Sequence, residues 1–185
     1  MSEPFFREVE SRMAKCVEAT RAEFASIRTG RATPALLDRL HVEAYGQAVP
    51  LKQVAGVSVP DARTLVITAW DKGVVGEIRK AIEKSDLGIT PNIDGTAIRL
   101  LIPPLNEERR KDLAKVVKKK AEDGKIAVRN VRHKAHDDLK TQQKAGDITE
   151  DDNKRMQDQL QKLTDKFTKE IDALVVAKEK EIMEV

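Results

Sequence analysis

Lys111, Lys118, Lys125 and Arg132 recur at intervals of seven, and Arg132 closes the run Arg129-Asn130-Val131-Arg132. Seven residues make nearly two turns of an α-helix, so these cations drift only about 20° per step and line one edge. From Arg109 to Lys134, 11 basic residues stand against 3 acidic ones, a local net of +8 in a chain whose net charge is +3. The guanidinium groups at 110, 129 and 132 can each grip a phosphate through two parallel hydrogen bonds, which an ammonium cannot. The chemistry implied is attachment along a polyanion. With Arg110 set at 0°, Arg132, Lys125, Lys118, Arg129, Lys111 and Lys115 fall between about 40° and 140°, beside an apolar arc from about 240° through 0° to 20°. The competing reading is an ordinary solvated helix face. Against it, acidic partners are scarce on this stretch, and like charges a turn apart repel. The face opposite the apolar seam is expected to carry no exposed hydrophobe to enter a lipid surface, which favours nucleic acid over membrane.

The remaining chemistry-bearing residues form no constellation. His133 and His136 lie three apart beside Asp137, but lysines surround them and no further ligand completes a metal set. Cys16, the one cysteine, falls at a core spacing and reads as packing rather than as a nucleophile. There is no GxxxxGK[ST] and no GxGxxG following a strand, so no nucleotide site and no cofactor are expected. Asp61, Asp71 and Asp94 sit at turns, where capping explains them. No acid, base and nucleophile set emerges, which argues against an enzyme. Aromatics are only 3% of the chain, too few for a platform on which single-stranded bases stack. Recognition should therefore work through the backbone and shape of folded RNA.

Three long helices must position the cations. In the first, Phe6, Val9, Met13, Cys16, Thr20, Phe24 and Ile27 keep helical spacing until Gly30, which is expected to end it. The second follows Pro103-Pro104-Leu105, with Asn106 as N-cap and Glu107 and Glu108 at the positive end of the dipole. Its stripe runs from Leu113, Val116 and Val117 through Ala121, Gly124, Val128, Val131 and Ala135 to Leu139. Gly146 ends it, and Thr149-Glu150-Asp151-Asp152 resembles a capping box opening the third helix, which buries Met156, Leu160, Leu163, Phe167, Ile171 and Leu174. Stripes this narrow cannot stand alone, so the expectation is an antiparallel three-helix bundle made of residues 1–30 and 105–185.

Residues 31–104 change character and read as an inserted small β/α/β domain, giving an α+β chain overall. His41–Tyr45 alternates and is followed by a turn at Gly46-Gln47. Val54–Val59, Thr64–Ala69 and Ala97–Ile102 are further strands, and Val74–Ser85 is the one helix among them. Two crossings, at 29–32 and 102–105, join the domains. Gly30 in one and Pro103-Pro104 in the other suggest a two-legged hinge; a rigid corner is the alternative.

At 185 residues the chain fits one domain or two small ones, and 35% charged residues with 40% hydrophobic suit long exposed helices. A single cysteine excludes an internal disulfide and fits a reducing compartment. No apolar run reaches the ~18 residues of a membrane span, and the N-terminus lacks the regions of a secretory leader, so a soluble cytoplasmic protein is expected. A helical adaptor for acidic proteins and an RNA-modifying enzyme are the rival readings.

Several stretches match one family in order and register. They are Arg28-Thr-Gly-Arg-Ala32, Val42-Glu-Ala-Tyr-Gly46, Ser85-Asp-Leu-Gly88, Pro103-Pro-Leu-Asn-Glu-Glu-Arg-Arg-Lys-Asp-Leu113, Ala127-Val-Arg-Asn-Val-Arg132, Ile148-Thr-Glu-Asp-Asp152 and Leu163-Thr-Asp165. Together they resemble the bacterial ribosome recycling factors along essentially the whole chain. The resemblance implies an L-shaped protein that acts as a monomer on the post-termination ribosome, chiefly on large-subunit ribosomal RNA. With elongation factor G hydrolysing GTP, such factors split the subunits so that messenger and deacylated transfer RNA leave. Carried over by position, Arg110, Arg129 and Arg132, with Lys111, Lys118 and Lys125, would contact RNA. Gly30, Arg31, Pro103 and Pro104 would form the hinge, and the small domain would meet the translocase. The chain departs from the family pattern at His133-Lys134, where Arg-Asp is usual, at Ala44, where an aromatic is common, and at Asn106, where Thr is usual.

Overall fold

The computed structural model describes residues 2–184; Met1 and Val185, the ends of the expected bundle, lie outside them. The elements in order are α1 (Ser2–Ala25), β1 (His41–Ala44), β2 (Gln47–Pro50), β3 (Ala55–Asp61), β4 (Thr64–Ala69), α2 (Val75–Lys84), β5 (Asn92–Asp94), β6 (Ala97–Leu101), α3 (Glu107–Lys144) and α4 (Glu150–Met183). The fold is α+β, and its contacts divide it into two compact units, Met1–Phe24 with Ala114–Glu181 and Ala25–Leu113 with Ile182–Val185.

The first unit is helical. Met13, Val17, Val117, Val128, Leu160 and Ile171 are all but completely buried, and they fall on the apolar stripes of α1, α3 and α4. Side-chain bonds between helices give the directions. Lys120 of α3 meets Glu23 of α1 at 2.5 Å, Arg132 meets Gln161 of α4 at 3.2 Å, and Lys118 meets Glu179 at 3.8 Å. Residue numbers thus fall along α4 as they rise along α3, so the pair is antiparallel. At Gly124 α3 approaches α1 closely: a Cβ there would lie 2.2 Å from Thr20 Oγ1. A schellman-type turn closes α3, with Asp147 N–H donating to the Gln142 carbonyl (2.9 Å), Gly146 N–H to that of Gln143 (3.0 Å), and Gly146 at φ +80°. The capping box then starts α4: Asp152 N–H donates to Thr149 Oγ1 (3.1 Å), and Thr149 Oγ1 donates to the Asp152 carboxylate (2.8 Å).

The stripes differ from expectation in detail. Leu163, Leu174 and Val131 are only partly buried and Val116 is 40% exposed, whereas Val17, Thr164, Lys178 and Ile182 are buried. On helices this long the 3.6-residue period slowly rotates the stripe, so positions at its edge emerge. α1 also stops at Ala25, five residues before Gly30. Beyond it, Ile27 and Thr29 are buried and Arg28 donates to the Leu87 carbonyl (2.9 Å), which ties this segment to the second unit.

The second unit is built on an antiparallel four-stranded sheet in the order β3-β4-β6-β5, with β1 and β2 forming a separate hairpin. Leu65, Ile67 and Ala69 of β4 alternate inward, as do Ile98 and Leu100 of β6, so one face is buried and the other open. α2 lays Val75, Ile78 and Ile82 into the same core. β2 and β5 were not legible as strands because one is largely exposed and the other is three residues long. The β1–β2 turn is Tyr45-Gly46 rather than Gly46-Gln47: its residues have φ 54° and 82°, the two positive values that a type I′ turn requires.

Candidate nucleic-acid interface

α3 starts where the sequence placed it. Asn106 Oδ1 accepts from Arg109 N–H at 2.7 Å, and Glu107 and Glu108 fill the first turn. From there one uninterrupted helix carries all six candidate cations. Lys118, Lys125, Arg129 and Arg132 lie in the first unit; Arg110 and Lys111 lie on the same helix within the second. Arg110 is half-buried, and Lys111, on the surface, pairs with Glu107 one turn back at 3.5 Å.

The scarcity of acidic partners read from α3 alone does not hold in the folded chain. Lys118 pairs with Glu179 and Lys125 with Asp172, both on α4. Arg129 Nη1 reaches Glu122 on its own helix, two turns away, at 2.9 Å. Arg132 differs: its Nη1 donates to the neutral Gln161 Oε1, and the Gln161 amide in turn donates to Asp165 at 2.9 Å. Apart from Glu122, these partners were invisible because they come from a helix that folds back. Positions equidistant from the α3–α4 turn face each other, and pairing the two helices that way would have found Gln161, Asp172 and Glu179. Exposed ion pairs contribute only about 0–1 kcal/mol, which covers those of Lys118 and Arg129, whereas the Lys125 side chain is only 22% exposed.

A second expectation also fails: the outward face does carry an apolar side chain, since Ile126 is 45% exposed.

The four candidate hinge residues all fall within the second unit. Gly30 is buried at φ +83°, Arg31 pairs with Glu184 at 3.1 Å, and Pro103 and Pro104 are exposed. The two chain segments they belong to are held side by side by the β3–β4 turn. Ala32 N–H donates to the Ala62 carbonyl and Ile102 N–H to the Arg63 carbonyl, both at 2.8 Å.

Elsewhere the chemistry is sparse. Among the described residues no three His, Cys, Asp or Glu side chains converge as a metal site. Cys16 is half-buried, and burial pushes its thiol pKa up, which disfavours the reactive thiolate. Among the described residues no helix is long and apolar enough to cross a membrane.

The comparisons with known proteins agree on one family. The family model for Ribosome recycling factor matches residues 20–183. The ribosome-recycling factor of Halalkalibacterium halodurans is 56% identical over 185 residues, covering 100% of both chains. A solution structure of a ribosome recycling factor superposes with a TM-score of 0.78 at 43% identity, covering 100% of this chain and 98% of that one. Models for the T. thermophilus ribosome recycling factor and the E. coli elongation factor G bound to the E. coli post-termination complex match with a TM-score of 0.69 at 46% identity, over 99% of each chain. The class is therefore that of ribosome-binding factors of protein biosynthesis, which are not enzymes and use no cofactor. The chain belongs to the ribosome recycling factor family.

Proposed function

We propose that this protein binds the post-termination ribosome and, with elongation factor G hydrolysing GTP, promotes separation of the subunits and release of messenger and deacylated transfer RNA. The relative from T. thermophilus is described with elongation factor G on that complex, which supports the same pairing here. The observation that carries the reading is the edge of α3, where cations stand in line and their partners are weak, exposed carboxylates or, at Arg132, a neutral amide. Such an edge exchanges internal partners for RNA phosphates. Arg129 and Arg132 are assigned the principal large-subunit rRNA contacts, supported by Arg110, Lys111, Lys118 and Lys125.

With no nucleotide-binding motif of its own, the protein depends on a partner for energy. Gly30, Arg31, Pro103 and Pro104 are proposed as the hinge through which the sheet unit, engaging the translocase, moves while the bundle stays attached. The positive φ of Gly30 (+83°) and the fixed φ of the Pro103-Pro104 pair support this. The protein is proposed to act as a cytoplasmic monomer.

Arg132→Ala is expected to weaken large-subunit binding by about 1.5–3 kcal/mol, the scale of a lost charged hydrogen bond. An unchanged dissociation constant at moderate salt, with the circular dichroism spectrum intact, would remove that assignment. Log affinity should also fall with log salt, by a slope of about 0.7–0.9 per phosphate engaged. Polysome breakdown with and without elongation factor G and GTP tests the whole reading: breakdown that proceeds equally without them would overturn it.

A further inference from the structure

Ile126 is out of place on its surface. It is 45% exposed on the solvent side of α3, where a straight-chain polar residue would serve the helix better than a β-branched apolar one. Its setting is polar. Glu122 and the exposed Asp123 lie one turn before it and Arg129 one turn after, and the bond between Glu122 and Arg129 (2.9 Å) spans the two turns that Ile126 occupies. Lys119 and His133, two turns away on either side, are exposed, as is Asn130 one turn ahead. A single exposed hydrophobe is ordinary, but one that lies beside Arg129, on the helix whose cations are proposed to hold phosphates, is positioned to touch what lies between the phosphates.

We infer that Ile126 is an apolar contact within the RNA-binding edge, packing on the ribose and base wall of a shallow RNA groove while Arg129 exchanges Glu122 for a phosphate. This rests on the reading of α3 as an RNA-binding surface. Charge complementarity of the wider face selects the occupant: Lys118, Lys119, Lys125, Arg129 and Arg132 on the same helix outnumber Glu122 and Asp123 and call for a polyanion, and in folded RNA the surface between phosphates is sugar and base. The contact has a consequence that charge alone lacks. Cation–phosphate pairs release counterions and weaken with salt, whereas covering an apolar side chain is nearly independent of salt. Lysines along an edge can slide along a backbone, but one apolar post fits only where the groove wall is open, so it adds position to attraction.

The test measures binding of the full-length protein to the large subunit over a range of salt for Ile126→Ser, Ile126→Leu, Ile126→Lys and Arg132→Ala. Circular dichroism checks that each variant folds. Ile126→Ser is expected to lose about five- to tenfold at every salt concentration with an unchanged slope, and Ile126→Leu to retain most of the affinity. Ile126→Lys is decisive, because it should weaken binding although it adds a positive charge; tighter binding would overturn the inference. Arg132→Ala should instead flatten the salt slope. If Arg132→Ala weakens binding and the Ile126 variants do not, the inference fails and the RNA reading stands; if neither matters and the slope is flat, both fail. A benzophenone side chain placed at position 126 should cross-link to ribosomal RNA, and a cross-link confined to ribosomal protein would overturn the inference.

Discussion

In the helical unit a buried residue is recognisable from its neighbours one turn away, and its outward neighbours are charged. In the sheet unit Ile67 of β4 faces Ile98 of β6 across a ladder that joins distant parts of the chain, and both are completely buried. The helical unit therefore keeps long exposed faces, and the cations on those faces are restrained mostly by solvent-exposed pairs. The sheet unit spends its apolar residues on a shared core, and its exposed aromatics, Tyr45 and Trp70, stand at turns and strand ends. One region is organised around its surface and the other around its interior.

Substitutions can break this contrast. Ile67→Ala removes a buried side chain that has no local substitute, and should cost about 3–4 kcal/mol in urea denaturation. A cost below about 1 kcal/mol would mean that the sheet core is looser than its burial indicates. In the helical unit one tight point is Gly124 against Thr20. Gly124→Ala gains about 1 kcal/mol of helix propensity but forces the methyl into the Thr20 hydroxyl, which also donates to the Cys16 carbonyl at 3.0 Å. A net loss of about 1–2 kcal/mol in thermal melting is expected. Adding Thr20→Ala should reverse its sign; a double variant as unstable as Gly124→Ala alone would show that the crossing is set elsewhere. Asn106→Ala, which removes the N-cap of α3, should cost about 1 kcal/mol.

The smallest expected effects are those of pH, and they fall on both the acid and the alkaline limb. In the first, the hydroxyl of Thr149 and then Arg155 hold the Asp152 carboxyl below its ordinary 3.8. Its contribution is full above that value and is lost as pH falls through the depressed folded one. In the second, the Tyr45 hydroxyl donates to the Asp71 carboxylate at 2.9 Å, which raises the phenol above its ordinary 10.0. That contribution is full below the ordinary value and is lost as pH rises through the raised folded one. Stability titrations should show Asp152→Asn flattening the acid limb and Tyr45→Phe the alkaline limb. Tyr45→Phe should also ease the acid limb slightly, because the same bond helps to hold Asp71 below its ordinary value. Asp152→Asn acting on the alkaline limb, or Tyr45→Phe leaving that limb unchanged, would contradict these bonds.

By itself the sequence determined what depends on near neighbours. The stripes of α3 and α4, the caps at Asn106 and Thr149, the stop at Gly146, the β4 and β6 alternation and the line of cations all follow from spacings of a few residues. The resemblance carried by its motifs reached the family. Only tertiary structure decided the rest. It paired Lys118 and Lys125 with α4, gave Arg132 a neutral partner, ended α1 at Ala25, made strands of Gln47–Pro50 and Asn92–Asp94, and left Ile126 exposed. The physical reason is common to all of these: each depends on which distant segment lies alongside, and periodicity within one element carries no record of its neighbour.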